Sequence, residues 1–337
     1  MTTTTTTDRH RTEPALPAAR GPLSAGVLAA LTALDQPALD PREAATADPY
    51  GEDLQLSLYL LYELHYRGFA GVADDREWDP RLMPLRRALE DRFLNALRAD
   101  VPAGRGVDEV FGELLVEPTD HSGSVSYHLE HEGELWQLRE YAVLRSLYHL
   151  KEADPHAWVI PRLRGRAKAG MVAIEYDEFG AGRAENIHAQ LFADLMTDLD
   201  LDTGYGHYLP AAPADVLATV NLMTLFGLHR ALRGALVGHF ACVEVTSSPG
   251  SRRLAAAMRR TGAGPAAERF YAEHVEADAV HEQVVRREVI GGLLADEPWL
   301  EADIAFGADA TVFLDDRLGT RLLNAWREGT SALRTTM

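Results

Sequence analysis

The sequence predicts an all-α protein. Three observations support this fold class: apolar residues recur with helical spacing in most segments, Ala and Leu are abundant, and alternating runs of β-branched residues are few. Ala and Leu are strong helix formers, and an apolar face repeated every three or four residues is typical of packed helices. With 337 residues, 46% of them hydrophobic, the chain is long enough to bury a large core.

The individual helices follow from this periodicity and from the residues that interrupt it. Pro- and Gly-containing breaks occur at 154–156 (DPH), 179–182 (FGAG), 247–251 (SSPGS) and 262–265 (GAGP). Such residues end helices because Pro lacks an amide hydrogen and Gly readily leaves the helical conformation. We therefore expect helices at 24–35, 52–68, 81–99, 107–116, 134–151, 159–178, 184–198, 213–246, 251–261, 265–290 and 318–333.

Two segments depart from the helical pattern. The segment SGSVSYHLEHEGELW, at 122–136, is strand-like, and a short hairpin is expected before residue 134. The N-terminus carries a run of Thr and lacks the charged-then-apolar order of a secretory signal. Residues 1–20 are therefore expected to form a disordered tail of a cytoplasmic protein.

Charge and composition exclude several classes of partner and site. The 33 basic and 51 acidic residues give a formal net charge of −18, which disfavours nucleic acid and anionic membranes as partners. The longest apolar run, 216–228, is too short to span a membrane. The single cysteine, Cys242, excludes a disulfide framework, a Cys-rich zinc site and a four-cysteine iron–sulfur cluster. Any metal ion must therefore be bound by His, Asp and Glu.

The segment HVEADAVHE, at 274–282, places three metal-ligand side chains on one side of a predicted helix. His274, Asp278 and His281 are spaced i, i+4 and i+7. At the rotation of an α-helix they fall within roughly a 60° arc. The three side chains are able to contact one small ligand such as a metal ion. A solvated helix face is the alternative explanation.

Two further segments add carboxylate and imidazole groups in apolar surroundings. Glu244 lies in ACVEVTSS, while Glu178 and His188 flank the glycines of YDEFGAGRAENIH. Gly180 and Gly182 should break the helix and turn both side chains inward. Burying a lone carboxylate costs several kcal/mol, so a cation is expected nearby. With the helical motif these residues make three His and three carboxylates, which suit two iron or manganese ions between facing helices.

The sequence resembles the haem-oxygenase-like di-iron oxidases, a family of iron-containing redox enzymes, in the pattern Glu178–x9–His188, Glu244, His274–x3–Asp278–x2–His281. The resemblance covers roughly residues 135–290. It implies a non-haem di-iron oxidase with a haem-oxygenase-like seven-helix bundle, which binds two Fe(II) ions and uses O₂ as co-substrate. Residues 131–337 would then form the di-iron domain. Residues 21–130 would form an added N-terminal helical arm for packing or homodimerisation.

The resemblance also implies a role for each ligand. One iron would be bound by His188 and His274, and the other by Asp278 and His281. The carboxylates of Glu178 and Glu244 would bridge the two ions or shift between them. Glu152 matches an additional carboxylate that some members place on the metal, and those members tend toward N-oxygenation. A surface acid at a helix end is the alternative for Glu152.

Candidate substrate-binding residues precede Glu244 on the same predicted helix. Arg230, Arg233, Val237 and Phe240 occupy nearly one face, and Arg233 lies about 16 Å from Glu244 along the axis. The Arg233 guanidinium is suited to hold a substrate carboxylate while an aliphatic chain lies across Val237 and Phe240. Ion pairs between helices are the alternative role for Arg230 and Arg233.

The resemblance implies O₂ as the oxidant but does not identify the substrate. We expect oxidation of a free aliphatic amino acid by C–H abstraction, which leads to desaturation, cyclisation or C–C cleavage in specialised metabolism. N-oxygenation of an amino-acid amine at the same site is one alternative, and a non-catalytic metal-binding helical protein is another. The partners implied are a small-molecule substrate and an external electron donor.

Overall fold

The fold is all-α, as the sequence predicts. The computed structural model describes residues 13–33 and 40–335, apart from the side chains of residues 278 and 279, and these residues contain helices and no strand. The α-helices are α1 (Pro22–Thr32), α2 (Glu52–Glu63), α3 (Met83–Asp100), α4 (Val107–Leu114), α5 (Val125–His131), α6 (Leu135–His149), α7 (Asp154–Ala157), α8 (Gly165–Glu178), α9 (His188–Asp198), α10 (Ala214–Leu228), α11 (Arg233–Thr261), α12 (Pro265–Val284), α13 (Gly291–Asp296) and α14 (Glu301–Arg327).

Shorter helical turns connect these elements. Short 3₁₀ helices lie at Pro41–Thr46, Asp74–Trp78, Ile160–Arg162, Gly180–Gly182, Ala184–Asn186, Leu209–Ala211, Arg230–Leu232 and Pro298–Leu300. A π-helical segment, Val285–Ile290, continues directly from α12. No helix of the described residues has both the length and the apolar character that crossing a membrane requires. The predicted tail at 1–20 falls largely outside the described residues, which begin at residue 13.

The predicted hairpin before residue 134 is wrong, because residues 125–131 form α5. Ser124 caps this helix, with its hydroxyl oxygen accepting a hydrogen bond from the Tyr127 amide at 3.2 Å. Leu129 is fully buried in the core. The alternation of apolar and polar residues suggested a strand, but the serine cap and packing against α11 and α14 favour a helix.

The predicted break at SSPGS is also wrong. Helix α11 runs for 29 residues through Pro249, although an internal proline costs a helix about 3 kcal/mol. Val245, Ser251 and Leu254 are buried on either side of the proline, so tertiary packing outweighs the local cost. The real break comes earlier, at Arg230–Leu232, which separates α10 from α11.

A single core runs through the N-terminal helices and the remainder of the chain. Leu56 of α2, Leu144 of α6 and Phe240 of α11 all belong to this buried cluster. Between the two parts lies a buried ion pair, in which Lys151 Nζ donates to Glu63 Oε2 at 2.8 Å. The predicted arm at 21–130 therefore packs into the core that surrounds the site described below.

Helices α11 and α14 cross at very short range because a glycine of each helix lies against the backbone of the other. A Cβ atom at Gly238 would overlap the Ile304 carbonyl, and one at Gly307 would overlap the Ala235 carbonyl. Helix α12 packs against α11 and also contacts α9. This arrangement places the inner faces of α9, α11 and α12 around one interior region.

Candidate metal centre

Six buried side chains with metal-ligand chemistry form two groups in this interior region. The first group contains Glu152, His188 and His274, and the second contains Glu178, Glu244 and His281. Within each group the ligand atoms lie within 4.8 Å of one another. No member exposes more than 8% of its surface. The fold therefore brings together residues that lie up to 129 positions apart in the sequence (152 to 281).

A tight turn aligns Glu178, the last residue of α8, with His188, the first residue of α9. Gly180 adopts a φ of +73°, and a Cβ atom there would overlap the backbone of Asn186 and Ile187. Only glycine fits this position without displacing the chain. As a result, His188 Nδ1 lies 2.7 Å from Glu178 Oε2.

Glu178 also connects the two groups. One of its oxygens faces His188 of the first group, while Oε1 lies 3.6 Å from His281 Nδ1 in the second. His281 Nδ1 is in turn 3.2 Å from Glu244 Oε2. The two groups therefore adjoin, as expected for a pair of metal ions that share a carboxylate.

Hydrogen bonds from neighbouring groups orient two members of the first group. His274 Nδ1 donates to the Phe270 carbonyl at 2.7 Å, which directs Nε2 toward Glu152. His149 Nδ1 lies 3.0 Å from Glu152 Oε1. Burial acts to raise the pKa of Glu152, but His149 and His274 outweigh burial and hold this pKa well below its usual range. Such outer hydrogen bonds are typical of metal-ligating His and carboxylate groups.

The donor set fits a divalent cation. Glu152 and Glu178 have histidines as partners, and among the described residues no Lys or Arg side chain lies within salt-bridge distance of either. Glu152 Oε2 is buried and has no hydrogen-bond partner in the described chain. Buried carboxylates need a compensating positive charge. Oxygen and imidazole donors together suit iron or manganese.

Glu175 is a buried acid beside the centre that the sequence pattern does not indicate. It lies on α8, three residues before Glu178, and neither of its carboxylate oxygens has a hydrogen-bond partner among the described residues. Burial, followed by the charges of Glu178 and Glu244, raises its pKa to about 9. The only sequence signal is its position one helical turn before a candidate ligand.

A cavity of about 420 Å³ opens beside the two groups. Four members of the groups line it, namely Glu152, Glu178, Glu244 and His274. Its apolar wall includes Phe240, Val243, Leu254 and Leu314. The volume falls within the range of small-molecule sites.

Two buried histidines of the cavity wall form a hydrogen-bonded chain. His239 Nδ1 lies 2.7 Å from Thr311 Oγ1, and its Nε2 lies 3.1 Å from His156 Nε2. Burial lowers the pKa of His156 to about 4 and that of His239 well below its usual range. Both rings are therefore neutral at physiological pH. The two histidines are 83 positions apart in the sequence, so the sequence pattern does not indicate that they pair.

The four residues proposed to bind substrate do not share one site in the structure. Phe240 lines the cavity, whereas Val237 is completely buried and is absent from its lining. Arg233 donates from Nε and Nη2 to Glu297, at 3.0 and 2.7 Å. Arg233 thus makes the ion pair that was the alternative expectation, and neither Arg233 nor the exposed Arg230 lines the cavity.

One expected ligand cannot be placed. The side chain of Asp278 lies outside the described residues, although its backbone forms part of α12. The other expected ligands, including Glu152, belong to the two groups. Glu152 completes the first group with His188 and His274, rather than supplementing a finished set.

Comparison with known protein families agrees with this centre. No curated protein matches the sequence. The model of a family described as iron-containing redox enzymes matches residues 139–316, just over half of the chain and a span that includes both groups. The match confirms the resemblance and, with the all-helical structure, the haem-oxygenase-like fold class. The chain belongs to the iron-containing redox enzyme family.

Proposed function

We propose that this protein is an O₂-dependent non-haem di-iron oxidase that acts on a free aliphatic amino acid. One observation carries the proposal: two adjoining buried groups of His and Glu open onto one cavity of small-molecule size. Family membership supports iron as the metal. The burial of all six side chains is also suited to limit the access of water to a reactive oxidant.

Each group would hold one Fe(II) ion. Glu152, His188 and His274 would bind the first ion, and Glu178, Glu244 and His281 would bind the second, with Asp278 as a further candidate on α12. When bound, the two ions supply electrons for the reduction of O₂. An external donor would supply the remaining electrons of a catalytic cycle.

The protein's own side chains would hold the substrate next to the metals. Phe240, Val243 and Leu254 supply an apolar surface along which an aliphatic chain can pack. The hydrogen bond from His274 to the Phe270 carbonyl fixes the ring that faces Glu152. These contacts favour reaction at an aliphatic carbon, by C–H abstraction leading to desaturation, cyclisation or C–C cleavage.

N-oxygenation of the amino-acid amine is the second candidate, and the position of Glu152 favours it. Glu152 lies in a metal-binding group instead of at the surface. Members of the resembled family that use such an additional carboxylate tend toward N-oxygenation. The two reactions differ in their products: N-oxygenation adds oxygen to nitrogen, whereas desaturation removes two hydrogens from carbon.

Iron loading followed by O₂ uptake tests the proposal. The full-length protein is loaded anaerobically with Fe(II), its iron content is measured, and O₂ consumption is followed with a panel of free amino acids and a reductant. We expect two irons per chain and O₂ uptake that one aliphatic amino acid accelerates. Mass spectrometry of the product then separates C–H oxidation from N-oxygenation.

Two variants of α12 provide a further test and its control. His274→Ala should lose iron and O₂ uptake, whereas Glu273→Gln, at the exposed neighbouring position, should retain both. Iron that binds without O₂ uptake for any compound would instead indicate a non-catalytic metal-binding protein.

A further inference from the structure

Arg145 of α6 and Asp315 of α14 form a loose pair of opposite charges on the cavity wall. The distance from Arg145 Nη1 to Asp315 Oδ1 is 3.7 Å. Arg145 Nε donates to Tyr141 Oη at 3.2 Å, and this bond holds the guanidinium in place. Both side chains stay partly accessible, at 26% and 45%, and both line the cavity.

This pair is looser than the ion pair that Arg233 makes with Glu297. Arg233 and Glu297 lie 2.7 Å apart, within hydrogen-bond distance, whereas 3.7 Å is too long for a hydrogen bond. Among the described residues, neither Nη1 nor Nη2 of Arg145 makes a hydrogen bond to the protein. The guanidinium and the carboxylate therefore both retain capacity for a ligand in the cavity.

The pair lies close to the metal-binding groups. Arg145 is one helical turn, about 6 Å along the axis, from His149, which contacts Glu152. Tyr271, also on the cavity wall, is one turn before His274, and its buried hydroxyl has no hydrogen-bond partner in the described chain. A short molecule can therefore contact these polar groups and the metals together.

We propose that Arg145 and Asp315 bind the charged head of an α-amino acid, with Arg145 holding its carboxylate and Asp315 its ammonium. The aliphatic side chain then lies along the apolar wall toward the two metal-binding groups. This inference rests on the proposed oxidase function and specifies its substrate. An Arg fork matches a carboxylate, and two opposite charges at this separation complement both ends of a zwitterion.

The same two charges reject related ligands. A simple carboxylic acid leaves Asp315 without an ammonium partner, and a simple amine leaves Arg145 without a carboxylate. A ligand that covers one of these charges without pairing with it removes water from the charge and gives nothing in return, so the pair selects the amino acid over both fragments.

Calorimetric titration of the full-length protein tests this assignment. The protein is loaded with Fe(II) without O₂, so that binding is measured without turnover, and is titrated with L-norleucine, hexanoate and 1-pentylamine. Hexanoate lacks the ammonium and 1-pentylamine lacks the carboxylate, while the hydrocarbon chain is shared. We expect norleucine to bind at least about tenfold more tightly than either fragment, which corresponds to about 1.4 kcal/mol.

Two variants assign each charge to its residue. Asp315→Asn should remove the preference for norleucine over hexanoate, and Arg145→Gln should remove the preference for norleucine over 1-pentylamine. Each variant keeps affinity for the fragment that does not use the lost group, which distinguishes a lost contact from misfolding. Asp303→Asn on α14 and Arg139→Gln on α6 alter the same helices outside the cavity lining and should behave as wild type.

The outcomes separate this inference from the oxidase proposal. Norleucine that binds no better than the fragments, or variants that keep the wild-type preference, would overturn the assignment of Arg145 and Asp315. Iron binding and O₂ uptake would still stand in that case. If the protein prefers norleucine but binds no iron, the oxidase proposal is wrong and the assignment of the amino-acid site remains.

Discussion

Among single residues, Glu175 should make the folding stability of the metal-free protein depend on pH. Its buried carboxyl group has no hydrogen-bond partner among the described residues, and its pKa is raised to about 9. Between the unfolded pKa, about 4.3, and the folded value, the folded chain binds more protons than the unfolded chain. Stability that is present below the unfolded pKa is therefore lost as the pH rises through this window.

Glu175→Gln should remove this pH dependence. The amide is neutral at every pH, so the variant should resemble wild type near pH 5 and exceed its melting temperature by a few degrees near pH 8. Thermal unfolding of the metal-free proteins at both pH values measures the difference. An equal effect at the two pH values would show that Glu175 does not titrate in this window.

Glu152 tests whether the first group binds iron. In Glu152→Gln the side-chain carbonyl can still accept from His149, but the ligand charge is lost. We expect the affinity for one of the two irons to fall at least about tenfold, while the second group still binds its ion. Titration with Fe(II) and metal analysis measure this change. Glu185→Gln, at an exposed position, is the control, and unchanged iron content in Glu152→Gln would exclude Glu152 as a ligand.

At the scale of helices, the crossing of α11 and α14 positions Glu244. Gly238 lies six residues before Glu244, at the point where the helix contacts the Ile304 backbone. A side chain at residue 238 must push the two helices apart. The effect should therefore reach the second group of candidate metal ligands as well as the core.

Gly238→Ala should destabilise the protein by about 1–3 kcal/mol or more through overpacking, and should weaken iron binding. Chemical denaturation and metal analysis measure the two effects. Gly112→Ala is the matched control because a Cβ atom there meets nothing within 4 Å, and alanine should stabilise α4 by up to about 1 kcal/mol. Full stability in Gly238→Ala would contradict the close helix crossing.

At the level of the whole molecule, a buried ion pair joins the N-terminal helices to the segment next to the candidate metal centre. Glu63 of α2 is completely buried and accepts hydrogen bonds from Lys151 and Tyr205. Lys151 immediately precedes Glu152 and is 2% exposed. The N-terminal helices thus contribute a counterion for the segment that carries a candidate ligand.

Glu63→Gln should cost about 3–5 kcal/mol because it leaves the Lys151 ammonium buried without its counterion. Removing both charges, in Glu63→Gln with Lys151→Met, should cost less than the sum of the single changes. A double-mutant cycle of unfolding free energies measures this coupling. Additive effects would show that the two charges do not interact.

The fold class and the types of side chain in the candidate centre could be predicted from the sequence. Helical periodicity is a local property, so the all-α fold could be predicted without tertiary information. The scarcity of cysteine restricted the candidate ligands to His, Asp and Glu. Glu178, His188 and Glu244 were identified because polar ligand types in apolar surroundings are unusual, and the glycines near Glu178 indicated the turn that aligns it with His188.

Which residues come into contact could not be predicted from the sequence, because it depends on how distant helices pack. Helix α5 and the uninterrupted α11 result from packing that local propensity does not record. Arg233 lies away from the cavity for the same reason, since Glu297 pairs with it from a distant position in the chain, whereas Arg145 lines the cavity. Packing of distant helices likewise places Glu152 in the first group. It also buries Glu175 without a hydrogen-bond partner among the described residues. Periodicity and residue type are local properties of the chain, whereas pairing and desolvation are set by contacts between distant segments.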